Sequence, residues 1–167
     1  MPRKAGLLTL LLAACFALGS EHRGTTTLSL RVDPEARLDP QHIPLTFRVS
    51  SDGASDVTTQ TASMAAKVRA LPGQQIHVTA RLTSLNGPAG AVAAGALRWS
   101  GAVAEATAGG QPAACSSGTF QAGAAGDLVT GWQQSGSVAC SLSFQLATRN
   151  LEPGAYSGEV DLALDVR

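Results

Sequence analysis

The side chains of this 167-residue chain that could do chemistry are three histidines, three cysteines, two tryptophans and a short row of carboxylates near the C-terminus. A metal centre needs several His, Cys or carboxylate ligands converging on one point. His77 falls on the outward side of an alternating stretch, while His22 and His42 fall in a tail and a loop, with no cysteine or carboxylate at ligand spacing. The reading is therefore solvated histidines and no metal. Ser-His-Asp catalysis would need His77 as its base, yet its same-face neighbours Thr79 and Arg81 supply no carboxylate to orient the ring. No nucleophile elbow, phosphate loop, paired-histidine motif or EF-hand loop occurs. The expectation is a protein that is not an enzyme, with no catalytic residues and no cofactor. Glu159, Asp161 and Asp165 form an acidic ladder that could hold calcium. The preferred reading is a solvated face that keeps the last strand from pairing wrongly.

The cysteines and tryptophans are more informative. Cys15 lies within the first twenty residues, and Leu12-Ala13-Ala14-Cys15 resembles the bacterial lipobox, in which the cysteine is lipidated and becomes the mature N-terminus. Its removal or lipidation leaves Cys115 and Cys140, an even pair that reads as a disulfide in an exported chain. Trp99 and Trp132 have two readings. Trp99 is expected as a core anchor, although an exposed indole on a Gly- and Ala-rich background would stack on a sugar ring. A ligand-binding reading would therefore rest on Trp99 and Trp132.

The leader carries the address. Arg3 and Lys4 give a basic start, Leu7 to Ala14 an apolar run, and Ala17-Leu18-Gly19 a small-x-small cleavage pattern. This is a secretory signal over 1–19, or a lipoprotein signal over 1–14, too short to anchor as a membrane span. Localisation follows as export to the periplasm, the outer-membrane surface or the medium. Loss of Arg3 and Lys4 leaves ten basic against twelve acidic side chains, with the basic residues scattered singly. A near-neutral, slightly acidic chain has no stripe to neutralise phosphates, so nucleic acid is excluded as a partner. No later apolar run is long enough to cross a membrane, which leaves a lipid at Cys15 as the one anchor the sequence offers.

The elements that position these residues are strands. In the C-terminal stretch a Pro153-Gly154 turn releases into Val160, Leu162, Leu164 and Val166 on one face, with Glu159, Asp161, Asp165 and Arg167 on the other. That period of two is the pattern of a half-buried strand. The same alternation marks Thr25–Val32, Leu45–Val49, Ile76–Thr83 and Ser137–Leu146, the last placing Val138, Cys140, Leu142, Phe144 and Leu146 inward. Shorter strands are expected near Gly118–Gln121 and Asp127–Trp132. Met64–Leu71 alternates as well, although its composition would also suit a two-turn helix. Asp33-Pro34 and Asp39-Pro40 read as a polar connection, because proline withholds a ladder donor. Gly87–Gly110, poor in side chains apart from Leu97 and Trp99, is read without a strand.

About seven to nine short, mostly antiparallel strands separated by turn signals, with no helix after the leader, describe an all-β sandwich over 25–167; strand count alone leaves a closed barrel as the alternative. With 44% hydrophobic and 14% charged residues, the chain can pack such a core. The Pro153-Gly154-Ala155-Tyr156 turn leading into a final alternating strand resembles the C-terminal end of bacterial exported immunoglobulin-like domains, including fimbrial and coat-type subunits. The resemblance implies that the sandwich is immunoglobulin-like and the chain a non-catalytic structural or adhesive subunit of the cell envelope, with other envelope or surface proteins as partners through strand pairing. A secreted carbohydrate-binding module is the alternative.

Overall fold

The computed structural model describes residues 35–52, 56–107 and 113–167. The leader, Cys15, His22 and the expected Thr25–Val32 strand lie outside them. Two antiparallel sheets carry most of the described residues. The first comprises β1 (Glu35–Asp39), β3 (Val57–Arg69), β10 (Gly136–Ala147), β6 (Leu97–Ala106) and β8 (Ser117–Thr119), in that spatial order. The second comprises β2 (His42–Val49), β11 (Gly154–Val166), β4 (Ile76–Gly87), β9 (Ala125–Trp132) and β7 (Ala114–Cys115), with β5 (Gly90–Ala91) beside β4. Their inward side chains form one apolar cluster. Eight strands have five or more residues, and the other three are two- or three-residue pieces.

Alternation accounts for the long strands. In β2, Ile43, Leu45, Phe47 and Val49 are buried and every residue between them is exposed. In β10, Val138, Cys140, Leu142, Phe144 and Leu146 all face the core. In β11, Tyr156, Val160 and Leu162 are buried, and Leu164 and Val166 are half-buried where the strand runs out of the sandwich. The Tyr156 hydroxyl donates to the Glu152 carbonyl at 2.7 Å, so this buried ring leaves no stranded polar group. Leu162→Ala should lower stability by about 2–3 kcal/mol, near the low end of the usual range because Leu162 is 6% exposed and Leu164 beside it is only half-buried. Asp161→Ala, on the opposite face, should cost less than about 1 kcal/mol. Urea denaturation of the two variants checks the assigned face, which equal midpoints would contradict.

Three expectations need correction. Residues expected as a polar connection include β1, which pairs with the last five residues of β3. Its one inward apolar side chain is the half-buried Leu38, so backbone pairing holds this strand and no periodicity marks it. Residues 97–106, read without a strand, form β6. Its buried side chains are Leu97 and Trp99 at the start, and pairing with β10 carries the rest. The stretch expected as Met64–Leu71 is the end of a strand that begins earlier, at Val57, and stops at Arg69. The half-buried inward residues of its first part are Thr58, Gln60 and Ala62, which hide the alternation.

Gln60 has a definite task. Its side-chain amide accepts from the Thr46 N–H at 2.6 Å and donates to the Pro44 carbonyl at 2.9 Å. Pro44 has no N–H of its own. The edge of β2 that faces away from β11 is thus covered by an amide and a proline, both of which discourage a further strand there.

Candidate functional site

The sequence-selected residues fall in three places. The first is the crosslink. Cys115 on β7 and Cys140 on β10 are joined, with Cα atoms 6.1 Å apart, so the bond runs from one sheet to the other. Cys140 is 1% exposed, and it sits where the pairing of β10 with β6 slips by one residue. Gly101 of β6 lies against Cys115, and a Cβ there would overlap the Cys115 side chain and the Ser116 carbonyl. The absence of a side chain at 101 is what admits the crosslink.

The tryptophans are in the core. Trp99 is 6% and Trp132 1% exposed, so neither ring offers a face on which a sugar could stack, and the carbohydrate reading loses its platform. Trp132 donates its indole N–H to the Gln134 carbonyl at 2.7 Å. Trp99 lies over Gly118 and Gly126, where any Cβ would run into the ring, and its centroid is 4.6 Å from that of Phe120. A large flat ring in the slot left by two glycines is a packing arrangement.

The third place was not anticipated. His42, expected in a loop without ligand partners, opens β2 directly opposite Asp161 of β11. His42 Nδ1 lies 2.7 Å from Asp161 Oδ1 and 3.8 Å from Glu159 Oε1. One donor atom from each of the three side chains falls within 4.8 Å of the others. All three stand on the outward face of the second sheet. Glu159 and Asp161 are two residues apart on one strand, so the pleat points both the same way. Arg81 of β4, opposite Asp161 on the other side, places its guanidinium 3.9 Å from Asp161 Oδ2. Between Glu159 and Val160 the pairing with β4 slips. Thr83 is the extra residue on β4, and its hydroxyl donates to the Glu159 carbonyl at 3.0 Å.

Asp165, the third member of the acidic ladder, is separate from this group. It pairs with Arg167 and stands across from His77. The ladder is therefore divided, with Glu159 and Asp161 drawn to His42. The outward alternation of Glu159 and Asp161 was readable in the sequence. Their meeting with His42, 119 positions away, depends on β2 pairing with the last strand. Among the described residues no helix is long and apolar enough to cross a membrane.

Comparisons with protein-family models, with curated proteins and with solved structures return no match for this chain.

Proposed function

We propose that this chain is an exported, non-catalytic structural or adhesive protein of the bacterial cell envelope, similar in plan to fimbrial and coat-type subunits. The observation that carries the reading is the Cys115–Cys140 crosslink between the two sheets. Such bonds persist in secreted and periplasmic proteins and are rare where thiols are kept reduced. The basic start, the apolar run and the two processing patterns of residues 1–19 agree with that compartment. After processing the chain is soluble, or is held to the membrane by a lipid on Cys15.

In this reading the partners are other envelope or surface proteins, and contact is by strand pairing. The β2 edge is covered by Gln60 and Pro44, so pairing would use the outer edge of β1, β7 or β8.

Labelling of intact cells tests the proposal. Lys67 is exposed on β3 and is the one lysine left after the leader is removed. An amine-reactive biotin reagent that does not cross the inner membrane should label it, and fractionation should place the chain in the envelope or the medium, in complexes larger than a monomer on native gels. An unlabelled chain confined to the cytoplasm would overturn export. A labelled chain that is monomeric in every fraction would overturn the subunit role.

A further inference from the structure

We infer that His42, Glu159 and Asp161 form a binding site for a divalent first-row transition-metal ion, with zinc as the natural probe. One imidazole and two carboxylates suit this class of ion, whereas calcium and magnesium favour all-oxygen shells. The backbone supplies the tripod. Two carboxylates at i and i+2 on β11 share a face, and β2 sets the imidazole across from the second. A donor set built on paired strands is held more firmly than one on a loop.

The distances fit. Two donors on a tetrahedral zinc, each bonded at about 2.1 Å, stand about 3.4 Å apart. The distances from His42 Nδ1, 2.7 Å to Asp161 and 3.8 Å to Glu159, bracket that value. The His42 side chain is 63% and the Glu159 side chain 50% exposed, so both can make the remaining adjustment by rotation with no change in packing.

The groups around the tripod fit as well. Arg81 faces Asp161 Oδ2 and not the oxygen that faces His42. It can remain in place as an outer partner that orients the carboxylate, in the manner of the second layer around known metal sites. Two carboxylates against one guanidinium leave the patch with a net negative charge, which favours a cation. The Thr83 hydroxyl on the Glu159 carbonyl fixes the backbone at the slip in pairing, and with it the start of the Glu159 side chain. Three protein ligands on an exposed face leave a coordination position open to water or to a donor from another molecule. The ion would also tie β2 to β11, the first and last strands of the second sheet.

The test is zinc titration of the tag-free, full chain by calorimetry in a non-chelating buffer, alongside His42→Gln, Glu159→Gln and Arg81→Gln. The wild-type chain should bind an equivalent of zinc that His42→Gln loses, and Glu159→Gln should weaken binding at least about tenfold. Arg81→Gln should weaken binding, since it removes the outer partner that orients the Asp161 carboxylate; tighter binding by this variant would mark a simple charge cluster and overturn the site. The second readout is the imidazole NMR signal of His42. It should shift with one equivalent of zinc and stay unmoved by the same concentration of calcium. The replaced side chains are exposed, so the variants should keep the wild-type melting temperature without metal. Equal zinc binding by wild type and His42→Gln, no binding up to about 1 mM, or a His42 signal that responds equally to calcium would each overturn the site.

Discussion

Phe144→Ala should lower the free energy of unfolding by about 3–5 kcal/mol. Phe144 is 0% exposed on β10, which pairs with β3 on one side and with β6 on the other. Its ring stacks with that of Phe120 at 6.4 Å, and Phe120 in turn meets Trp99. The truncation therefore removes the transfer energy of a benzyl group and leaves a cavity its neighbours cannot readily fill. Trp99 is lodged over Gly118 and Gly126, so its indole has little freedom to follow the lost ring. With a typical domain stable by about 5–15 kcal/mol, the loss is roughly a fifth or more of the total. Gln145→Ala, one residue along and exposed, should stay within about 0.5 kcal/mol of wild type. Guanidinium denaturation of both variants is the check, and similar midpoints would mean that β10 turns its other face to the core.

Removing the crosslink is the second large effect. Cys115 and Cys140 are 25 positions apart, and closing a loop of that length restricts the unfolded chain by roughly 3.5 kcal/mol on the chain-entropy model. In the folded state the bond holds β7, a strand of only two residues, across the core to β10. The double variant Cys115→Ala/Cys140→Ala should thus unfold at a distinctly lower denaturant midpoint. Amides of β7 and β8 should exchange faster than those of β3, β10 and β11, because the short strands lose their tie while the long ones keep their packing. Unchanged stability on reduction would show that β7 and β8 are held by packing alone.

What could be read from the sequence depended on whether a strand buries its own side chains. Residues 45–49, 76–82, 137–146 and 160–166 do so in alternation, and each was legible, whereas the start of β2 at His42 was expected as loop. The strands at 35–39 and 97–106 are held chiefly by backbone pairing with β3 and β10, which leaves no apolar period to detect. Trp99 was legible as a core residue, but the reason it fits, two glycines on strands some distance along the chain, is a tertiary fact. The cysteine pair followed from count and compartment, whereas its path between the sheets did not. The His42 cluster was hidden for the same reason as the glycine slot. Periodicity says which way Glu159 and Asp161 point, but it does not say which strand lies beside them.

The export of a crosslinked sandwich is tested most directly by mass spectrometry of the native chain, isolated from the envelope fraction without reductant and digested. The N-terminal peptide should begin at Ser20, or at a lipid-modified Cys15, and the peptides bearing Cys115 and Cys140 should be recovered joined. An intact Met1 together with free thiols at both cysteines would contradict the compartment and, with it, the envelope role proposed for this protein.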